Sequence, residues 1–350
     1  MANVAEAARR ALGDGVSTDF QLAPEQHAKS LPADAAPLRA VLEQKELKQI
    51  IHAFRTYDAE AAAAQRAYKR EAKAAALAAF AAVAFGTVII LPGAPVIPAH
   101  IILAAAIAQT VLMAISLALS IKVGAARNFE NWMEKRGQAE NKRLELFAAV
   151  LDAEERTPSQ PIPLLPLQLE YIRRYLLDEE RVYYRKRGNQ HRQASRSARN
   201  WRVAALLVLL ASSLPALWAL FEGGLPPAIT HIFEGSTEAA SIIAQRFFVG
   251  LGFLASGLQL LLASYAVISL NDRNAARYLA TADNLDALSE TPLADARAAA
   301  ERGDKSAALA FLALLSQEIS AEHREWIALR KIAPDLSLDR LATLRLPRLH

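Results

Sequence analysis

Residues Ile101 to Ile121 read IILAAAIAQTVLMAISLALSI, 21 consecutive positions without a charge. An α-helix rises about 1.5 Å per residue, so about 20 residues cross a hydrocarbon layer of about 30 Å. Three further charge-free runs stand at Ala74–Leu91, Val203–Phe221 and Phe247–Leu270, with 18, 19 and 24 residues. A helix satisfies its own backbone hydrogen bonds, which is the condition for entering lipid. The expected fold class is therefore all-α: a polytopic membrane protein with four transmembrane helices in two hairpins, extended by long helices outside the membrane. The first run is short and Ala-rich, and taken alone it also reads as a buried core helix.

Lys and Arg placement sets orientation. The link 92–100 carries neither, and the link 222–246 carries only Arg246. The central segment 122–202 holds 17 Lys and Arg, and Arg66, Lys69, Arg70, Lys73, Arg273 and Arg277 flank the outer spans. All basic flanks thus lie on one side, expected to be the cytoplasm, with both termini there and both links outside. The first thirty residues lack a basic start followed by an apolar stretch and a cleavage site, so no signal peptide is expected. Pro92, Pro95 and Pro98 break the first hairpin, and Gly223, Gly224, Pro226 and Pro227 stand in the second link.

The two halves have the same layout, and each span pair is followed by Ala-Ala-Arg, at 125–127 and 275–277. The expected organisation is a mobile arm (1–36), a first two-span module (37–156), a Pro-rich linker (157–166), a second two-span module with a cytoplasmic helix (167–332), and a tail (333–350). Leu38 to Lys73 reads as almost unbroken helix. Leu312, Leu315, Ile319, His323 and Trp326 lie on one face of a helix over 307–330.

The chemistry-bearing residues are few. There is no Cys among the 350 residues, which excludes disulfides, thiolate metal sites and Cys nucleophiles. The seven His are scattered and form no local metal motif. Gly250-Leu251-Gly252 lies inside an apolar run with no preceding strand, so it is not a phosphate loop but a place for close helix approach. No cofactor and no enzymatic activity are expected, and the net charge of +4 is too small to point to nucleic acid.

Two sets of residues carry the functional expectations. Gln109, Ser116, Ser120, Ser256, Gln259 and Ser264 are polar positions within spans; they line a conduction path or else hold the helices together by hydrogen bonds. Arg181, Arg185, Arg192, Arg196 and Arg199 belong to a basic run just before the third span. Three readings stay open for it: an anchor on anionic lipid, a nucleotide site using Tyr183 and Tyr184 for stacking, and an acidic protein partner.

The stretch Phe311–Trp326, FLALLSQEISAEHREW, ends in Glu322-His323 and then Trp326. With the approach Tyr183–Trp201 and the span pair, it resembles the SLATT family, two-transmembrane domains associated with bacterial SMODS and SLOG conflict systems. The resemblance covers Tyr171–Arg330, and Arg55–Glu155 more loosely, because the first unit lacks the Glu-His-x-x-Trp ending. It implies a homo-oligomerising effector of a bacterial anti-phage system in the inner membrane, opened on a signal from a cytoplasmic sensor or nucleotide-signalling protein. The alternative is a non-conducting scaffold that recruits a cytoplasmic partner.

Overall fold

The computed structural model describes residues 4–14, 22–90, 98–125, 128–154, 162–222 and 237–332; side chains at 124, 125, 128, 215–222, 237–245, 267 and 322–332 are not described. The described residues are all-α. In order they form α1 (Val4–Leu12), α2 (Pro24–Ser30), α3 (Ala36–Leu42), α4 (Lys45–Ile90), α5 (Ala99–Ala125), α6 (Asn128–Asp152) and α7 (Leu164–Ile172). A π-helical segment (Arg173–Asp178) then leads into α8 (Glu179–Glu222), followed by α9 (Thr237–Ser269), α10 (Asn271–Leu288), α11 (Thr291–Glu301) and α12 (Lys305–Ile332). The chain divides into two compact units, one of Met1–Ala64, Glu130–Asn189 and Ala276–His350, the other of Gln65–Phe129 and Gln190–Ala275.

The first unit is built around α7. Leu164, Leu167, Leu169, Tyr171 and Ile172 are buried, and so are Gln168 and Glu170. A helix apolar on nearly every side belongs at the centre of a core. Around it lie Ala8 and Leu12 of α1, Leu38 and Leu42 of α3, Phe147 and Val150 of α6, Leu293 and Ala296 of α11, and Leu312 and Leu315 of α12. Side chains close the helix ends that this packing takes out of water. Gln168 donates its amide to the carbonyls of Val150 (2.6 Å) and Ala153 (2.9 Å) at the end of α6. Asp304 accepts the Ser306 N–H (3.0 Å) ahead of α12, as an N-cap residue does.

The second unit contains the apolar runs. Three helical segments are long and apolar enough to cross a membrane: Lys45–Ile90, Ala99–Val123 and Arg246–Leu288. Little of their apolar surface is buried. Leu103, Ile107, Met113 and Leu117 of α5 and Phe253 and Leu260 of α9 are exposed, as are Leu206, Leu207, Leu210 and Leu214 of α8. The run 203–221 lies within α8, although its side chains beyond 214 are outside the described set.

Polar and small residues set the packing of these helices. Glu71 meets Lys122 (2.8 Å), Ser116 donates to the Ala75 carbonyl (3.0 Å), and Gln109 packs on Gly86. Numbers rise along α4 as they fall along α5, which defines an antiparallel pair. In the same way Gln259 donates to the Arg202 carbonyl (2.6 Å) and Gly252 faces Ser212, pairing α8 with α9. The two hairpins join where Gly257 lies against Val83 and the Lys73 ammonium sits 5.5 Å from the centre of the Tyr265 ring. Helices approach this closely in lipid where small residues allow it.

Three expectations about organisation need correction. The expected mobile arm 1–36 is helical at 4–12, 24–30 and 33–36, and Ala8, Leu12, Ala28 and Ala35 sit in the core of the first unit. The expected linker 157–166 ends in structure: Pro163 caps α7, Pro166 lies in its first turn, where a missing N–H costs nothing, and 155–161 lie outside the described residues. The two tandem modules are not the compact units, since each unit draws on both halves. Long helices explain this. A single helix such as α4 or α8 supplies a charged stretch to one unit and an apolar stretch to the other.

A Cβ added at Gly257 would stand 2.6 Å from Val83 Cγ1, whereas one at Gly252 would stand 3.2 Å from the Ser212 hydroxyl. Val83 is β-branched and has little rotamer freedom in a helix. Gly257→Ala is therefore expected to destabilise by about 1–3 kcal/mol. Gly252→Ala should cost clearly less, as read from melting of the detergent-solubilised chain.

Candidate functional site

The largest concentration of charge lies in the first unit, on the π-helical segment and its neighbours. A π turn carries one residue more per turn than α, and such turns recur at functional sites. Here it presents Arg173, which is buried. Its Nε donates to Glu170 (2.5 Å), Nη1 to Asp178 (2.5 Å) and Nη2 to the Gly13 carbonyl (3.0 Å). Glu170, also buried, accepts Arg297 Nε (2.5 Å) on its other oxygen. Arg181 reaches Asp286 (2.6 Å) and Asp178 (3.2 Å), and Arg185 reaches Asp283 (3.1 Å) and Asp286. Arg9 pairs with Asp14 and holds that carboxyl below the usual range, first through their hydrogen bond. The side chains of these residues, Glu170 and Asp283 excepted, line an open cleft of about 530 Å³ with Val182 and Leu293 as its apolar wall.

Five arginines are thus set against the carboxylates of Asp14, Glu170, Asp178, Asp283 and Asp286. A cleft so compensated attracts a polyanion weakly. It suits a surface that offers both signs of charge, where complementarity fixes the docked register.

Beside the cleft is a second buried polar group. His27 stacks on Tyr175 (3.7 Å between ring centroids), and its Nδ1 lies 3.0 Å from the Tyr171 hydroxyl. Burial, and then the charge of Arg174, lowers the His27 pKa to about 4, so the ring that shares this hydrogen bond with Tyr171 is neutral. Glu179 goes the other way: burial, and then the neighbouring Glu180, raises it to about 7. Arg143 and Glu180 form a buried ion pair at 2.5 Å. Sequence reading missed this set. Its local trace is the spacing of Glu170 to Arg173 and Asp178 to Arg181, each three residues apart.

The expected site residues separate. Arg181 and Arg185 belong to the cleft and are ion-paired, while Arg192, Arg196 and Arg199 lie in the other unit and are exposed. Tyr184 is not a free stacking surface; it is buried, with Tyr278 packed edge-on at 5.3 Å. Among the span residues, Gln109, Ser116 and Gln259 face neighbouring helices of the same chain. Ser256 donates to the Gly252 carbonyl of its own helix (2.9 Å) and is exposed, as is Ser120; Ser264 is half-buried. The side chains of Glu322, His323 and Trp326 lie outside the described set.

No family model matches this chain, and no curated protein or solved structure is significantly similar to it. What fold and site define is an all-α protein with three helices long and apolar enough for a membrane and a charge-compensated cleft in its other unit.

Two outcomes follow. Glu180→Ala leaves buried Arg143 with Glu140 (2.8 Å) as its remaining partner and should destabilise by up to about 3 kcal/mol. Arg143→Met with Glu180→Leu should recover most of that loss in chemical denaturation. Near pH 7 Glu179 opposes folding, and lowering the pH from about 7 towards 4.5 relieves it. Neutral His27 favours folding above pH 6.5, and that stability is lost as pH falls towards about 4. The two trends oppose each other between 6.5 and 4.5. Glu179→Gln should therefore expose an acid-induced loss of stability, and His27→Asn an acid-induced gain, in melting curves taken across that range.

Proposed function

We propose that this chain is a multi-pass inner-membrane scaffold: four spans anchor it, and its span-free helical unit receives a cytoplasmic protein partner. The observation that carries this reading is the use made of the polar span residues. Gln109, Ser116 and Gln259 are engaged between helices of one chain, which favours a static anchor over a lined path. The cleft supports the partner, since its mixed charge suits a protein surface better than nucleic acid. The span beyond the three long apolar helices is the apolar end of α8, whose exposed Leu206, Leu210 and Leu214 call for lipid as much as those of α5 do. The basic flanks support a cytoplasmic side for the charged helices and both termini.

The second reading is a pore-forming effector of an anti-phage system, in line with the SLATT-like layout. Exposed Ser120 and Ser256 favour it, because hydroxyls turned away from the chain's own bundle gain water if copies assemble around a lumen.

The chain reconstituted in dye-loaded liposomes separates the two. The scaffold predicts no dye release, and no change of membrane potential in expressing cells under phage challenge, in the wild type and in Gln109→Leu and Gln259→Leu alike. Arg181→Glu with Arg185→Glu should remove cross-linking to a cytoplasmic protein while the chain stays in the membrane. Dye release that needs intact Gln109 and Gln259 would sink the scaffold and support the pore.

A further inference from the structure

The second unit holds a small cavity where two borders between charge and apolar surface meet. On α8 the exposed Arg192, Arg196 and Arg199 are followed by Arg202, and from Val203 onward by exposed apolar residues. On the partner strand of helix, the apolar run of α9 ends at Leu270, a non-glycine residue at φ 49°, and α10 starts with Asn271-Asp272-Arg273. Between them lies a space of about 150 Å³ lined by Ser195, Ala198, Arg202, Leu270, Asp272 and Arg273, among others. That is room for more than one water-sized group.

The Nε of Arg202 is out of contact with water and has no hydrogen-bond acceptor among the described residues. Such a donor is costly to leave unmade, more so on a charged group. Two acceptors nearby are already engaged: the Arg202 carbonyl takes the Gln259 amide, and one oxygen of the Asp272 carboxylate takes the Ser195 hydroxyl. The missing partner of this charged donor is an oxygen acceptor, best an anionic one, that fits at the boundary between apolar and charged surface.

We infer that this cavity holds the phosphodiester group of an anionic membrane lipid, with Arg202 donating to a phosphate oxygen and exposed Arg199 at the rim. Its acyl chains then run along Val203 and Leu206, which are otherwise uncovered. The inference rests on the reading that 203–214 and 247–270 lie in a bilayer, and it goes beyond that reading by naming an occupant and its contacts. It differs from general attraction to an anionic surface, because it assigns the tight contact to Arg202 and none to Arg192.

The test uses the full chain in lipid discs of phosphatidylcholine alone, with added phosphatidylglycerol, or with inorganic phosphate in the buffer. Incorporation is scored first, so failure of the membrane reading shows separately as a chain that does not enter discs. After partial delipidation, native mass spectrometry should find phosphatidylglycerol retained on the wild type in preference to phosphatidylcholine. Loss of a charge-assisted hydrogen bond weakens binding about tenfold or more, so Arg202→Gln should lose that retention, whereas Arg192→Gln should keep it. Equal retention of the two lipids by the wild type would overturn the site without reference to any variant. Equal loss in Arg192→Gln would reduce it to surface charge. A melting shift with inorganic phosphate as large as that with the lipid would overturn the lipid as its source.

Discussion

Apolar side chains that find no protein to bury against are the constraint on which the rest of this structure depends. Leu103, Ile107, Met113 and Leu117 of α5 and Leu206, Leu210 and Leu214 of α8 remain exposed in the folded chain. In water, a contiguous surface of this kind is an aggregation liability. In a bilayer it is solvated, and the hydrophobic effect stops acting between the helices. What then holds them together is close packing at Gly86, Gly252 and Gly257 and a few polar contacts, of which Glu71 with Lys122 and Gln259 with the Arg202 carbonyl are the clearest. The polar residues of the spans are explained by this need before any need for conduction.

The first unit obeys the opposite rule. Its helices bury Leu, Ala and aromatic side chains against α7, as an ordinary aqueous core does. The unusual feature is charge inside that core. Glu170, Arg173, Arg143 and Glu180 are all buried, and each is paired. Buried pairs are weak stabilisers but costly to break, so they fix which helices meet and in which register. The π-helical segment brings Arg173 to Glu170, Asp178 and the Gly13 carbonyl together, and its Arg173 and Asp178 line the cleft.

Much of the span-bearing unit was legible because its signal is local. Charge-free runs ending at Leu91 and Leu270 correspond to helices ending at Ile90 and Ser269, and the C-terminal stripe Leu312, Leu315, Ile319 is buried as its spacing requires. The first two N-terminal helices were not legible. They have 9 and 7 residues, too few for a periodicity to show, and Ala8 or Leu12 gains its meaning only from α7 more than 150 positions away. The cleft was hidden for the same reason. Arg181 and Arg185 read as free cations because Asp286 and Asp283 stand about a hundred residues further on. The polar span residues were legible as a set, but whether they face a lumen or a neighbouring helix depends on which helices pair. Sequence periodicity does not carry that information.

The chain's lack of Cys makes single-cysteine labelling the most direct measurement of the four-span arrangement. The variants are Ala94→Cys and Gly235→Cys in the links, Arg196→Cys and Ala307→Cys in the basic and C-terminal helices, and Leu210→Cys within the apolar end of α8. With a membrane-impermeant maleimide, the first two should react in intact cells and the next two only after permeabilisation. Leu210→Cys should stay unlabelled in both. Labelling of Arg196→Cys from outside, or of Leu210→Cys by the aqueous reagent, would contradict a four-span anchor with its charged helices on one side.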